Sequence, residues 1–275
     1  MLNWFKRRRI GLALGSGGAR GLSHIGVIRV LRDAGIPIHT IAGSSIGSIV
    51  GALYAATEDI ERVEHFALTT NWRELCALLD PYIGKGLLKG DKLESFFRTL
   101  FPRDDFSSLR IPFAAVATNM MSGEPHVFHS GSIARALRAS ASVPLMFRPL
   151  LTEDGIQYGD GGLSLPVPVS VARRLGADVV VAVDLDAHRT IRVDMVSNIF
   201  DMTQRAIDLL SVHLARENVA SADIIIVPPV SDVGWGSFLT PERTREVIER
   251  GARAAHDALP NIQTAERSWW ARHWS

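Results

Sequence analysis

Short apolar runs alternate along the chain with longer amphipathic segments. Apolar and β-branched runs predict strands at 10–14, 38–43, 113–118, 126–129, 178–185 and 223–229. Helical spacing of apolar residues predicts helices at 21–35, 46–57 and about 193–220. Strands that alternate with helices are typical of βαβ units with right-handed crossovers. We therefore predict an α/β fold with three layers, α/β/α, around a largely parallel sheet.

The uncharged segment IAGSSIGSIVGALYAA at 41–56 fits two different structures. Gly47 and Gly51 have the small-xxx-small spacing of a membrane helix that dimerises. Gly43, Ser45 and Gly47 form the pattern G-x-S-x-G, which is typical of a strand that turns sharply into a helix. Polar residues interrupt this segment, and no stretch of the chain reaches the roughly 20 apolar residues that a spanning helix needs. We favour the strand, turn and helix.

Composition narrows the classes of protein that remain. The chain has 275 residues, 47% of them hydrophobic, and a formal net charge of +1. A charge so close to zero excludes a global polyelectrolyte, so any affinity for nucleic acid or for a lipid surface must come from local patches, and we expect no nucleic-acid partner. The single cysteine excludes an internal disulfide framework and a cysteine-based zinc site. The basic N-terminal segment lacks the apolar run of a signal peptide, so we expect a cytoplasmic protein.

The glycine-rich segment GSGGARG at 15–21 lies between the first predicted strand and the first predicted helix. It could bind a dinucleotide, a nucleoside triphosphate or a developing oxyanion. Arg20 occupies the sixth position, where a dinucleotide fingerprint has glycine, and the G-K-[ST] of a P-loop is absent. What remains is a run of backbone N–H groups that can bind negative charge, with a purely structural turn as the alternative.

Ser45 is the candidate nucleophile, because it is central in G-x-S-x-G and glycines permit the tight turn around it. A reactive serine needs a base. One set of candidates is the late histidines, His188, His213, His256 and His273. The better candidate is Asp160, which is followed by Gly161 and Gly162, although D-G-G also occurs in ordinary turns. The uncharged segment 139–150 could form a wall of a buried site.

The ordered set GSGGARG, GSSIG, ASASVPLMFRP and DGG resembles the patatin-like phospholipase family, especially its small bacterial members. The similarity spans roughly residues 10–185, with one strand-like segment beyond. It implies a Ser–Asp dyad, in which Ser45 is the nucleophile and Asp160 is the acid. It further implies that Gly17 and Gly18 form the oxyanion hole and that Arg20 is the family's basic residue beside them. The supporting residues in these motifs are Gly43, Gly47, Gly161 and Gly162.

The resemblance implies a serine lipid acyl hydrolase of the phospholipase A or lysophospholipase type. Its partner would be a phospholipid or another acyl ester, and the reaction needs neither a metal nor an organic cofactor. Two alternatives stay open. One is a serine esterase that acts on small soluble esters. The other is a non-catalytic α/β module whose glycine-rich loop binds an anionic ligand for regulation.

We predict a single patatin-like domain over 1–275, with a core at about 10–230 and a helical C-terminal extension at 231–275. Both ends of the chain combine tryptophan with basic residues, in WFKRRR at 4–9 and RSWWARHW at 267–274. Such segments favour peripheral contact with a membrane surface. The alternative is that these tryptophans pack on the protein itself or on a partner subunit. The sequence leaves the oligomeric state open.

Overall fold

The computed structural model describes residues 8–70, 90–187, 199–234 and 240–267. Its strands are β1 Ile10–Leu14, β2 Ile38–Ser44, β3 Phe113–Asn119, β4 Pro125–Phe128, β5 Leu150–Leu151, β6 Gln157–Asp160, β7 Val179–Val183 and β8 Ile224–Ile226. Its α-helices are α1 Ser23–Asp33, α2 Ile46–Thr57, α3 Ile60–Thr69, α4 Asp91–Leu100, α5 Ile133–Ser140, α6 Val169–Arg174, α7 Ile199–Val219 and α8 Pro241–Arg267. Short 3-10 turns lie at Gly18–Leu22, Phe106–Ser108 and Gly161–Leu163.

The strands form one sheet in the order β5-β6-β3-β2-β1-β7-β8, and β4 also pairs with β3. The pairs in the centre and at the β8 side, from β3 through β2, β1 and β7 to β8, are parallel. The pairs of β3 with β4, of β3 with β6 and of β5 with β6 are antiparallel. The predicted α/β class is confirmed. The antiparallel strands β4, β5 and β6 at one side of the sheet are a feature that the apolar pattern did not indicate.

Helices cover both faces of the sheet, because its strands are apolar on both sides. On one face, large residues such as Ile10, Leu12 and Leu14 pack in a cluster with apolar side chains of α1, α2 and α8. On the other face, smaller residues such as Ala13 and Ala182 pack against α6 and the C-terminal part of α7. This arrangement gives the predicted three layers.

Strand β3 connects the parallel part of the sheet to the antiparallel part. Its edge that faces β2 pairs Val116 with Ser44, and the register with β6 then pairs Ala117 with Asp160. Strand β4 pairs with Ala115–Thr118 as well, so it must occupy the opposite edge of β3. Strand β6 therefore begins its pairing where β2 ends, and Asp160 lies directly beyond the carboxyl end of β2.

The long helix α8 packs closely on α1. A Cβ atom on Gly26 would lie 1.9 Å from the carbonyl oxygen of Ile248, and one on Gly251 would lie 2.0 Å from that of Ser23. Glycine is therefore required on both helices at this crossing. The buried residues of α8 include Val247, Ile248, Ala255 and Ile262.

The apolar runs located most of the strands, and the differences have simple causes. Strand β1 has the predicted bounds, whereas β4 begins one residue earlier than predicted. The sequence analysis missed β5, which is two residues long, and β6, whose sequence QYGD is mostly polar or glycine. Helix α7 spans the described part of the predicted helix at 193–220. Among the described residues, no helix combines the length and the apolar character needed to cross a membrane.

Candidate active site

Ser45 occupies the turn between β2 and α2, and its backbone is in the left-handed half of conformational space, with φ 53° and ψ −123°. A non-glycine residue at positive φ is uncommon and marks local strain. The turn needs glycine on both sides. A Cβ atom on Gly43 would lie 2.4 Å from the carbonyl oxygen of Gly47, and one on Gly47 would lie 2.2 Å from that of Leu14. The turn therefore presents Ser45 at the carboxyl end of the sheet.

The structure brings the Ser45 hydroxyl and the Asp160 carboxylate together across 115 residues of sequence. Ser45 Oγ donates a hydrogen bond of 2.6 Å to Asp160 Oδ2. The other carboxylate oxygen, Oδ1, accepts a hydrogen bond of 2.8 Å from the backbone N–H of Gly162. The Asp160 backbone is fixed as well, since its N–H donates to Ser142 O and its carbonyl accepts from Thr118 Oγ1. Both oxygens of this carboxylate are thus held in place.

Burial makes Asp160 a stronger base than an ordinary aspartate. The residue is only 6% exposed. Desolvation disfavours its charged form and raises its pKa from 3.8 to about 6, although the hydrogen bonds from Ser45 and Gly162 act in the opposite direction. A carboxylate with this pKa is still mostly ionised at neutral pH. It can therefore accept a proton more readily than an exposed aspartate while it remains in the basic form.

The glycine-rich loop lies beside Ser45. Its first two N–H groups are used within the fold, since Gly15 N donates to Val183 O and Ser16 N donates to Pro166 O. Among the described residues, the N–H groups of Gly17 and Gly18 have no such acceptor. Gly18 has φ 56°, which favours glycine at this position. The two N–H groups predicted to bind the oxyanion are thus among those of the loop for which the described residues provide no acceptor.

Arg20 is buried behind this loop and connects it to the segment that follows β7. Its Nε donates to Gly17 O at 3.1 Å, and its NH1 donates to Asp186 Oδ1 at 2.6 Å. Both side chains are almost fully buried, with 3% and 6% of their surface exposed. The backbone N–H of Asp186 in turn donates to Asp184 Oδ1. Removing two charges from water is costly, and the hydrogen bonds of Arg20 and Asp186 offset part of this cost.

A histidine lies close to the loop and contacts its backbone. His24 is fully buried, and one of its ring nitrogens, Nε2, is 2.8 Å from the carbonyl oxygen of Gly15. Desolvation lowers its pKa to about 4, so the ring is neutral at neutral pH. A neutral ring beside a carbonyl oxygen acts as a hydrogen-bond donor, which makes His24 a support for the loop.

A small cavity of about 40 Å³ lies between Ser45, Asp160 and the glycine-rich loop. Val143 and Pro144 form part of its wall, which agrees with the expectation for the segment 139–150. Helix α7 contributes Ile207, Asp208 and Ser211 to the lining. One water molecule occupies roughly 30 Å³ in the liquid, so the cavity in this conformation is far too small for an acyl chain.

The structure brings the predicted site residues together. Ser45, Asp160, Gly17, Arg20 and Gly162 all line the cavity. Gly18 follows Gly17 in the same loop. Gly43, Gly47 and Gly161 allow close backbone packing around Ser45 and Asp160. A Cβ atom on Gly161, for example, would lie 2.2 Å from Val116 O.

The structure describes two of the four late histidines, and neither lines the cavity with Ser45. His213 and His256 are exposed on α7 and α8, whereas His188 and His273 lie outside the described residues. The described residues contain no cluster of side chains suited to hold a metal ion.

The sequence analysis missed three contributors to the site. Ser140 Oγ accepts a hydrogen bond of 2.9 Å from the Ser45 N–H and donates one to Val116 O, which holds the strained turn. Asp186 pairs with Arg20, as described above. Asp208 reaches the cavity from α7. Polar residues that directly follow an apolar strand, such as Asp184 and Asp186 in VVVAVDLD, were the available signal for one of them.

Comparison with known proteins gives the family. The sequence profile of the family described as patatin-like phospholipase matches residues 12–173. An NTE family protein of Mycobacterium tuberculosis is 39% identical over 179 residues, which cover 65% of this chain and 49% of that protein. Human patatin-like phospholipase domain-containing protein 6 is 34% identical over 183 residues, and the match covers 64% of this chain and 13% of the human protein. The chain thus spans at most about half the length of these relatives.

Lysophospholipase nte1 of Aspergillus fumigatus is 36% identical over 184 residues, which cover 65% of this chain and 12% of that protein. Among solved structures, VipD from Legionella pneumophila superposes with a TM-score of 0.69 at 15% identity, covering 93% of this chain and 67% of VipD. ExoU from Pseudomonas aeruginosa gives a TM-score of 0.53 at 13% identity, with coverage of 96% and 54%. At such low identity these two structures establish the fold alone. The profile match and the fold lead to one conclusion: this chain belongs to the patatin-like phospholipase family.

Proposed function

We propose that this protein is a serine lipid acyl hydrolase of the phospholipase A or lysophospholipase type. The observation that carries the proposal is the 2.6 Å hydrogen bond from Ser45 Oγ to the buried carboxylate of Asp160, next to the glycine-rich loop. A serine is a weak nucleophile unless a base takes its proton. Asp160 is within reach of that proton, and burial raises its pKa to about 6.

In the first step, Ser45 Oγ attacks the carbonyl carbon of the acyl ester, and its proton passes to Asp160 Oδ2. The carbonyl oxygen becomes an oxyanion, which accepts hydrogen bonds from the N–H groups of Gly17 and Gly18. The N-terminus of α2, which begins directly after Ser45, adds a favourable positive potential. Groups of this kind, fixed before the reaction, are commonly the largest contribution to catalysis of acyl transfer.

The tetrahedral intermediate then collapses. The bond from the acyl carbon to the alcohol oxygen breaks, and the alcohol or lysolipid leaves with the proton from Asp160. In the second step, a water molecule attacks the acyl-enzyme and gives a proton to Asp160, and collapse returns that proton to Ser45 Oγ as the fatty acid leaves. Gly162 N–H holds Asp160 Oδ1 throughout, so that Oδ2 stays directed at Ser45.

An acyl chain needs more room than the cavity of about 40 Å³ provides. Helix α7 forms one side of that cavity, and it exposes Met202 and Leu210 on its outer surface. We propose that substrate entry requires a shift of α7 away from Ser45. A small soluble ester would need a smaller shift, so the esterase alternative remains a candidate that the experiment below addresses.

The test combines labelling with substrate analysis. Wild-type protein should react with a fluorophosphonate probe, which labels activated serines, and should release fatty acid from phospholipid or lysophospholipid vesicles. Ser45→Ala should lose both. Ser44→Ala is a matched control, because the neighbouring Ser44 hydroxyl is buried and has no hydrogen-bond partner in the described part of the chain. An unlabelled wild-type serine would favour the non-catalytic module, and hydrolysis of soluble esters without lipid hydrolysis would favour the esterase.

We further propose that residues 1–275 form a single domain and that the protein acts in the cytoplasm, with peripheral contact to membranes. Lipid substrates reside in membranes, and this supports the second part. The terminal segments at 4–9 and 267–274 were predicted to supply the contact. Apart from residues 8–9 and residue 267, these segments lie outside the described residues. The proposed membrane contact therefore rests on their composition.

A further inference from the structure

The pair formed by Arg20 and Asp186 lies beside the proposed oxyanion hole, and neither side chain takes part in the proton transfers. The two residues come from different parts of the sheet. Arg20 belongs to the turn after β1, and Asp186 follows β7. Both line the cavity that contains Ser45. A buried ion pair often contributes little to stability, so its presence at this place calls for another explanation.

The contact of Arg20 with Gly17 controls the direction of one oxyanion donor. Gly17 O and the N–H of Gly18 belong to the same peptide unit, and all described peptide bonds are trans. In a planar trans peptide the C=O and N–H bonds point in opposite directions. Because Arg20 Nε holds Gly17 O on the buried side at 3.1 Å, the N–H of Gly18 is turned to the other side. A rotation of this peptide would turn the donor away from the oxyanion.

Asp186 fixes Arg20 in the position that this contact requires. Its Oδ1 atom is 2.6 Å from Arg20 NH1, and its own N–H is tied to Asp184 Oδ1. The intervening Leu185 packs against the same loop, since a Cβ atom on Gly17 would lie 2.7 Å from Leu185 Cδ1. The segment after β7 therefore contacts the loop through both an ion pair and an apolar side chain.

We propose that Asp186 is a positioning residue that acts through Arg20 on the Gly17–Gly18 peptide and so aims the Gly18 N–H at the oxyanion. This inference rests on the proposed hydrolase function. It predicts that loss of the Asp186 charge weakens binding of the transition state and leaves binding of the ground-state substrate almost unchanged.

The test uses Asp186→Asn, which keeps the shape of the side chain and removes its charge. Asp223→Asn is the matched control. Asp223 also binds an arginine, Arg173, at 2.7 Å, and accepts a backbone N–H from Val180, but at the opposite end of β7. Active sites are counted by the final extent of fluorophosphonate labelling, so that unfolded protein does not count as loss of rate.

Three quantities are measured with the purified protein, residues 1–275: kcat and KM for a soluble p-nitrophenyl ester, and the inhibition constant of an alkyl trifluoromethyl ketone. The ketone forms a tetrahedral adduct with an activated serine, and its oxyanion occupies the same hole. In Asp186→Asn we expect kcat per active site to fall by about 10- to 100-fold, which is the scale for a misplaced donor. The inhibition constant should rise by the same factor, whereas KM should change less than about twofold. The control should match the wild type.

Three outcomes would overturn the inference. The first is wild-type kcat and ketone affinity in Asp186→Asn. The second is a rise in KM without a fall in kcat, which would mean that the pair binds the substrate directly. The third is an equal loss in Asp223→Asn, which would mean a general effect on the fold. If Asp186→Asn does not fold, Arg20→Lys gives the same test, because a single ammonium group cannot span Gly17 O and Asp186. A wild-type protein without activity or labelling would refute the proposed function itself.

Discussion

The substitution Asp160→Asn separates the chemical role of this carboxylate from its effect on the fold. Asparagine has the same shape, and its amide can still accept the Gly162 N–H and contact Ser45 Oγ. It cannot accept the serine proton, so hydrolysis should be lost. The substitution also removes a buried negative charge. We therefore expect the inactive variant to be more stable than the wild type at neutral pH.

The magnitude follows from the pKa of Asp160. Burial raises this pKa from 3.8 to about 6 in the folded protein, whereas the unfolded chain keeps the ordinary value. One pKa unit corresponds to about 1.4 kcal/mol, so the ionised carboxylate lowers the free energy of unfolding by about 3 kcal/mol. The sign depends on pH. Below pH 3.8 the carboxyl group is protonated in both the folded and the unfolded protein, so the loss of stability is absent. Between pH 3.8 and about 6 this loss grows, and above about pH 6 it is fully present.

The assay is urea unfolding of the wild type and of Asp160→Asn at pH 4.5 and at pH 7.5. The difference in unfolding free energy between the two proteins should increase by about 2 kcal/mol from the lower to the higher pH, since part of the cost is already present at pH 4.5. Other titrating groups occur in both proteins and cancel in this difference. Ser45→Ala is the control, because it is inactive but keeps the carboxylate. It also removes a hydrogen bond that lowers the pKa of Asp160, so its difference from Asp160→Asn should increase with pH at least as much as that of the wild type. A difference that is the same at both pH values would refute the reasoning.

Three further predictions concern the rate, the loop and the chain end. For a soluble ester, kcat/KM should rise with pH through a transition near 6, because Asp160 must be ionised to take the proton; a flat profile between pH 5 and 7 would contradict this role. Gly18→Val should lower kcat by about 10²- to 10³-fold through the oxyanion hole, whereas Gly35→Val, also at positive φ but in open space, should cost only stability. Deletion of 268–275 should weaken sedimentation with anionic vesicles and spare hydrolysis of a soluble ester. Equal loss on vesicles and on soluble ester would instead assign this segment to the fold.

The sequence predicted the central parallel strands of the sheet better than the short antiparallel strands at its edge. Buried parallel strands such as β1 and β7 are continuous apolar runs, and their signal is local. Strand β5 has only two residues and β6 is mostly polar or glycine, and both are defined by strand pairing, of β6 with β3 and of β5 with β6. Local periodicity cannot indicate such pairing.

The same distinction applies to the site. Ser45 has a local signature, because the glycines around it are required by the turn itself. Asp160 was the better candidate but stayed ambiguous from its neighbours alone, since D-G-G also fits an ordinary turn, and the family resemblance then gave it the role of the acid in a dyad. Asp186 has no signature beyond its place at the end of an apolar strand. Its importance comes from Arg20, which lies far away in sequence and reaches it through the packing of the folded chain.

The pairing of β3 with both β2 and β6 fixes Asp160 next to the end of β2 independently of the turns that connect these strands. Since neighbouring residues of one strand hold Ser44 and Asp160, the turns that lead into and out of the adjacent strands can differ in length without a change in this register. The residues at 120–124 and 153–155 in these turns are exposed, and the first turn carries Met121 at 75% exposure. Insertions there should leave the reacting atoms in place. For protein engineering, these turns are therefore the positions at which sequence diversity should be introduced first.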